Sequence, residues 1–146
     1  MSAQLQSLAV QNFRSIRGEV VVPLDAPVVL IHGPNGSGKT SLLTAIELAL
    51  TGQVASMRSA EPDYLSHVLH KEADAGRVSL RATGLGLPDD TVNVVLSSKR
   101  VSGANAVSAV HRRFFSERCY LPQSTLSRLL EIYQDSDAQR SDTPLT

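Results

Sequence analysis

At 146 residues, 42% of them hydrophobic, the chain is long and apolar enough for one domain with a core, which excludes a disordered protein. Fourteen basic and fourteen acidic side chains cancel, which excludes a strongly basic nucleic-acid-binding domain. The single cysteine, Cys119, excludes an internal disulfide and fits a reducing compartment, no apolar run approaches the ~20 residues of a membrane span, and the start Met1-Ser2-Ala3-Gln4-Leu5 lacks a secretion signal, so a cytoplasmic protein without membrane contact is expected.

In chain order, Leu5–Val10 predicts a half-buried first strand and Glu19–Val22 a second, closed by Pro23. Pro27-Val28-Val29-Leu30-Ile31 is a continuous aliphatic run, the pattern of a strand buried on both faces. A glycine-rich loop follows at once. From Lys39 to Thr51, apolar Leu42, Leu43, Ile46, Ala49 and Leu50 recur at helical spacing, and Gly52 stands where a C-cap glycine belongs. Asp63–Glu72 predicts a short helix after Pro62. Arg77–Thr83 alternates Val78, Leu80 and Ala82 inward, and Val92–Ser98 predicts its hairpin partner across the turn-rich Gly84–Asp90. Residues 102–118 give no clear pattern. Ser124–Tyr133 predicts a helix with Leu126, Leu129, Leu130 and Tyr133 on one face and Ser124 or Thr125 as N-cap. The division expected is a folded lobe over 1–134 and a polar tail over 135–146.

Gly33-Pro34-Asn35-Gly36-Ser37-Gly38-Lys39-Thr40 fits G-x-x-x-x-G-K-[ST] at every fixed position. Each position has a chemical reason. The glycines let the backbone curl round a phosphate with its N–H groups inward. The helix that follows adds the positive end of its dipole. Lys39 supplies a point charge to the β and γ phosphates, the Thr40 hydroxyl is a hard ligand for Mg²⁺, and Ser41 is placed to meet an α-phosphate oxygen. The pattern also arises by chance in glycine-rich turns; its setting between an aliphatic strand and an amphipathic helix argues for ATP with Mg²⁺ as the ligand.

Two further stretches narrow the field: Asn12-Phe13-Arg14-Ser15 after the first strand, and Cys119-Tyr120-Leu121-Pro122-Gln123 before the last helix. With Gly33–Thr40 they resemble the N-terminal half-head, bearing the Walker A loop, of the SMC/RecF/SbcC group of DNA-repair and chromosome ATPases, relatives of ABC transporters. The resemblance runs from Leu5 to about Tyr133. It implies an α/β P-loop NTPase fold: a mixed β-sheet with a P-loop helix and a Q-loop helix, forming the N-terminal lobe of a split ATPase head. It implies that Arg14 and Ser15 contact the nucleotide and that Gln123 reaches the metal and the attacking water, making Lys39 and Gln123 the catalytic candidates, Thr40 and Gln123 the metal candidates, and Asn35, Gly36, Ser37, Gly38 and Ser41 the remaining nucleotide contacts. The plain alternatives are that Arg14 and Ser15 are only turn residues and that Gln123 is only the exposed first turn of a helix.

No aliphatic strand ending in Asp-Glu occurs, and Val101-Ser102-Gly103-Ala104 is a poor and misplaced imitation of the Leu-Ser-Gly-Gly signature. In the resembled group those parts follow a long coiled coil. The last residues, Ser141-Asp142-Thr143-Pro144-Leu145-Thr146, read as a helix start, so a fragment of a longer protein is expected. Its partners would be the C-terminal half of the same head with the Walker B and signature motifs, a second head as dimer, and DNA with a nuclease, in double-strand-break repair or anti-phage defence. The chain alone would bind ATP without hydrolysing it. The rival readings are a nucleotide-dependent scaffold without hydrolysis and a transporter nucleotide-binding domain, in which Phe13 would have to stack on adenine. Among lesser features, Lys99, Arg100, Arg112, Arg113 and Arg118 against Glu117 are either a DNA-backbone patch or a solvated face. His67 and His70 read as surface histidines rather than a metal pair, His32 as filling the strand end, and Cys119 as a small buried apolar residue.

Overall fold

A computed structural model of the chain describes residues 2–58, 63–103 and 107–141. Pro62 and residues 142–146 of the helix start expected over 141–146 lie outside them. Five strands form one antiparallel sheet in the order β2-β1-β3-β4-β5, with β1 Gln4–Phe13, β2 Ile16–Pro23, β3 Ala75–Thr83, β4 Thr91–Ser97 and β5 Val101–Ser102. The alternation in the sequence explains the sheet. Leu8 and Val10 on β1 pair with Leu80 and Val78 on β3, which pair in turn with Val92 and Val94 on β4. All of these are buried on one face, and each fully buried aliphatic side chain contributes about 1.5–3 kcal/mol.

Helix α1, Lys39–Thr51, covers that face and contacts β1, β3 and β4. It ends as expected: Gly52 has φ 73° and its N–H bonds to the Leu48 carbonyl. The buried set differs from the expected stripe. Leu42, Ala45, Leu48, Ala49 and Leu50 go in, whereas Leu43 is exposed and Ile46 only half-buried. Polar Ser41, Thr44, Glu47 and Thr51 are buried too. A periodicity count over apolar residues misses these, because the helix is enclosed on a second side by Val54 and Tyr64, whose hydroxyl accepts from the Val54 N–H at 3.0 Å.

Four expectations need correction. Pro27–Ile31 forms no strand: the segment from Leu24 to Gly33 runs outside the sheet, with Val28 84% and Leu30 82% exposed. A two-faced aliphatic run needs a neighbour on each side; among the described residues only its last member, Ile31, packs against the core, and Val28, Val29 and Leu30 are left exposed. Asp63–Glu72 is a single 3-10 turn at Tyr64–His67; after it the Arg14 N–H bonds to the Val68 carbonyl and the His70 N–H to the Asn12 carbonyl, so pairing with the β1–β2 hairpin overrides helix propensity. The last helix, α4, spans Gln123–Ser141; the Pro122 carbonyl accepts from the N–H groups of Thr125 and Leu126, so it starts ahead of either expected cap, and it continues well beyond Tyr133. Cys119 is exposed. Between β5 and α4 lie a short helix α3, Ala109–Phe114, and a π-type turn, Phe115–Cys119, which packs Phe115 toward the core and leaves Cys119 outside. A one-turn helix α2, Ala55–Arg58, completes the elements. Among the described residues no helix is long and apolar enough to cross a membrane.

Candidate functional site

The loop before α1 has the backbone that its sequence requires. Gly36 and Gly38 take φ 82° and 97°, a region that disfavours any residue with a Cβ. At Gly38 a Cβ would also stand 2.9 Å from Ile16 Cγ1, so this glycine lets the loop pass close under the hairpin. Helix α1 starts with no side-chain cap and no acid in its first turn, which leaves its positive end facing the loop. Lys39 folds back over the loop, its ammonium donating to the carbonyls of Gly33 at 2.6 Å and Pro34 at 2.7 Å.

The Asn12-Phe13-Arg14-Ser15 segment is the turn of the β1–β2 hairpin, and each residue has a task. Asn12 takes φ 51°; its amide donates to the Ala75 carbonyl at 3.0 Å and its carbonyl oxygen accepts from the Gly18 N–H at 2.9 Å. Phe13 is fully buried and anchors the turn in the core. That burial removes it from any adenine-stacking part, which the transporter reading needed. Arg14, at φ 50°, reaches the P-loop helix with Nη1 2.9 Å from Thr44 Oγ1. The hydroxyls of Ser15 and Ser41 share a hydrogen bond of 2.8 Å. Non-glycine residues at positive φ are uncommon, and two in one four-residue turn mark it as held by its surroundings.

Three segments distant in sequence thus meet. A cavity of about 220 Å³ is lined by Arg14, Ser15, Asn35, Gly36, Gly38, Lys39, Thr40, Ser41 and Gln123. Of the expected nucleotide contacts only Ser37 is missing from the lining: its N–H bonds to the Pro34 carbonyl at 3.2 Å and its hydroxyl lies against Gly33. Gln123 is indeed the exposed first residue of α4, and Arg14 and Ser15 are indeed turn residues, yet all three face the phosphate loop. Among the described residues, two cations and no carboxylate line the space, the charge pattern suited to a polyanion.

Sequence reasoning gave no role to three side chains behind this cavity. Thr44 stands one helical turn after Thr40. Tyr120 stacks on Phe115 with ring centroids 6.2 Å apart. Burial, and after it the charge of Glu47, pushes the Tyr120 phenol above its usual pKa, against the opposing effects of the Thr44 hydroxyl and Arg14. Glu47 is fully buried; its Oε1 accepts from the Ala55 N–H at 2.9 Å while Oε2 has no hydrogen-bond partner, and burial pushes its carboxyl upward. The i, i+4 step from Thr40 to Thr44 was the available signal for Thr44; the enclosure of Glu47 had none.

The other singled-out residues lie elsewhere. Arg113 is bonded to Glu117 at 2.8 Å, and Lys99, Arg100 and Arg118 are exposed, a solvated arrangement. The His70 ring accepts from the Glu72 N–H at 3.2 Å, His32 is exposed, and no group of three or more His, Cys, Asp or Glu among the described residues could hold a metal.

The AAA domain family matches residues 7–142, nearly the whole chain. The chain belongs to that family, as an SMC/RecF-type ABC-class ATPase head segment. It is 31% identical over 98 residues to the DNA replication and repair protein RecF of Synechococcus sp. (strain JA-2-3B'a(2-13)), covering 67% of this chain and 24% of that protein. To the human structural maintenance of chromosomes protein 1B it is 35% identical over 68 residues, 47% of this chain and 6% of that one. The chain therefore spans about a quarter or less of the length of these relatives. Among solved structures, one from work on ATP-driven dimerisation and DNA-stimulated activation of SMC ATPases aligns with a TM-score of 0.61 at 18% identity, covering 87% of this chain and 90% of that chain. The recombination mediator RecF with ATP aligns at 0.53 and 22%, covering 73% and 28%. These likenesses establish the P-loop ATPase-head fold of the segment.

Proposed function

We propose that this chain binds Mg·ATP in the cavity between the phosphate loop and the hairpin turn. The observation that carries the reading is the convergence of Arg14, Ser15, Asn35, Gly36, Gly38, Lys39, Thr40, Ser41 and Gln123 on one space lined, among the described residues, by two cations and no acid. The uncapped start of α1, the left-handed glycines and the ammonium of Lys39 fit a nucleoside triphosphate. Phosphate oxygens would take the Lys39 donors that the Gly33 and Pro34 carbonyls now accept. Arg14, fixed by Thr44, adds a second positive charge, and the hydroxyls of Ser15 and Ser41 supply neutral donors. The Thr40 hydroxyl and the Gln123 carbonyl oxygen are hard oxygen donors that would hold Mg²⁺, which neutralises charge on the phosphates.

Hydrolysis requires a carboxylate to polarise water, and none lines the cavity among the described residues. We infer that the carboxylate and the signature motif come from a C-terminal half of the same head and from a second head. The support is the unpaired run Pro27–Ile31, whose exposed Val28 and Leu30 have the composition of a strand flanked on both sides. We infer further that the paired heads act on DNA with a nuclease partner, in double-strand-break repair or defence against foreign DNA. The support is the repair and chromosome functions in the names of the relatives.

The test is equilibrium titration of the chain with a fluorescent ATP analogue, wild type against Lys39→Ala. A charge-assisted contact is worth about 1.5–3 kcal/mol, so the variant should bind roughly ten- to a hundredfold more weakly. Equal affinity would show that the loop is not the site.

A further inference from the structure

Three successive residues of the β1–β2 turn meet α1 in order. Arg14 Nη1 donates to Thr44 Oγ1 at 2.9 Å, the Ser15 and Ser41 hydroxyls share a bond of 2.8 Å, and Ile16 packs on Gly38, where a Cβ would stand 2.9 Å from its Cγ1. The partners Thr44, Ser41 and Gly38 recur at helical i, i+3 spacing, so the turn runs along one face of the helix toward the phosphate loop.

The backbone of this turn and the guanidinium it carries are held by different means. Phe13 and Ile16, on either side of Arg14-Ser15, are buried and anchor the turn in the core. On the other side, the Val68 carbonyl accepts from the Arg14 N–H at 2.8 Å, and the Asn12 carbonyl accepts from the His70 N–H at 2.9 Å. The turn therefore keeps its place without help from the Arg14 side chain. The guanidinium ends a long side chain with many rotamers, and among the described residues its only hydrogen bond is the one to Thr44. Thr44 thus decides where the guanidinium stands, not where the turn stands.

Thr44 is suited to that task. It is 1% exposed, and its proton goes to the Thr40 carbonyl at 2.8 Å, which leaves the oxygen lone pairs for Arg14. The acceptor is also neutral. A carboxylate in its place would hold the guanidinium too, but would offset the charge that phosphates are to meet. With Thr44 the charge stays whole, and the other N–H donors of the fork remain for a ligand.

We propose that Thr44 is a positioning residue for nucleotide binding: it sets the Arg14 guanidinium at the phosphate loop ahead of the ligand and leaves its charge uncancelled. This deepens the Mg·ATP reading and rests on it. Thr44 does not line the cavity, so it acts through Arg14 and not on the nucleotide.

The experiment measures Mg·ATP affinity of the full chain for wild type, Arg14→Ala, Thr44→Val, Thr44→Ser and the double variant Arg14→Ala/Thr44→Val. Thr44→Val keeps the shape and removes the acceptor. The side chain must then be ordered at the moment of binding, which should weaken affinity roughly three- to tenfold. Thr44→Ser keeps the hydroxyl and should bind within about twofold of wild type. In the Arg14→Ala background Thr44→Val should cost nothing further, because the two act through one contact. A merely structural role for Thr44 would weaken binding in both backgrounds alike. Unchanged affinity in Thr44→Val, a loss in Thr44→Ser as large as in Thr44→Val, or additivity with Arg14→Ala would each overturn the assignment. If Thr44→Val does not fold, Thr44→Ala takes its place in the same comparison. Absence of Lys39-dependent ATP binding in the wild type would bring down the phosphate-site reading and this one with it, whereas Lys39-dependent binding with a silent Thr44→Val would bring down only the role of Thr44.

Discussion

Val92-Asn93-Val94-Val95-Leu96 and Val28-Val29-Leu30-Ile31 are both short aliphatic stretches, and they meet opposite fates. In the first, alternate residues Val92, Val94 and Leu96 are buried under α1 while Asn93 and Val95 face out. One covered face is enough, and β3 and α1 of this chain supply it. In the second there is no alternation, and Val28, Val29 and Leu30 are all exposed. Alternation tells a strand to find one neighbour layer, and a continuous run tells it to find two. The phosphate loop is tethered to both regions. Its C-terminal end enters α1, which is locked in the core, and its N-terminal end leaves the uncovered run.

The contrast breaks if core and run respond alike to substitution. The largest effect belongs to Phe13→Ala, which removes a fully buried ring beneath the hairpin turn and should cost about 3–5 kcal/mol in chemical denaturation. A stability loss below about 1 kcal/mol would mean that the core does not anchor the turn. Glu47→Gln, in the same core, should give a smaller change of opposite sign. Burial raises the folded carboxyl above its unfolded value, so the native state holds its proton more tightly. The resulting penalty is absent below the ordinary carboxylate range, where both states are protonated, and grows as pH rises through the raised value. The substituted amide would keep an acceptor for the Ala55 N–H without the charge, so thermal melts should show stabilisation at neutral pH that fades as the solution is acidified. Stabilisation independent of pH would contradict a titrating Glu47. Leu30→Asp, in the uncovered run, should move the stability of the chain by no more than about 0.5 kcal/mol. Its effect should appear as weaker association with a separately expressed C-terminal half, read by co-purification. A large loss in the chain alone would show that the run is packed after all.

Much of the fold was legible because the sheet and α1 satisfy their own patterns within this chain. Val78 and Leu80 alternate inward and pair with Val94 and Val92 in the hairpin the sequence reads, and Gly52 caps α1 at the expected residue, whereas the pairing of Leu8 and Val10 with that hairpin is not read from the sequence. The candidate site was legible at Gly36, Gly38, Lys39 and Thr40 because a phosphate loop constrains residue types at fixed spacing. Arg14, Ser15 and Gln123 came from resemblance, and their arrival at one cavity could not be read from spacing, since the hairpin and the 119–123 segment approach from different directions. Thr44 and Glu47 escaped notice because polar residues on an amphipathic helix read as its solvent face, and Tyr120 reads only as part of the Cys119–Gln123 stretch, with no contact of its own. Here that face is covered instead: Arg14 reaches Thr44, Ser15 bonds to Ser41 and the Ala55 N–H bonds to Glu47.

Three distant segments forming one Mg·ATP site is the central claim, and a titration of the chain with Mg·ATP followed by nuclear magnetic resonance tests it most directly. The backbone amides of Gly36, Gly38, Lys39, Thr40 and Ser41 should shift together with the Arg14 guanidinium and the Gln123 side-chain amide, all along one saturation curve. Shifts confined to the loop with Arg14 and Gln123 unmoved, or shifts centred anywhere else in the chain, would contradict it.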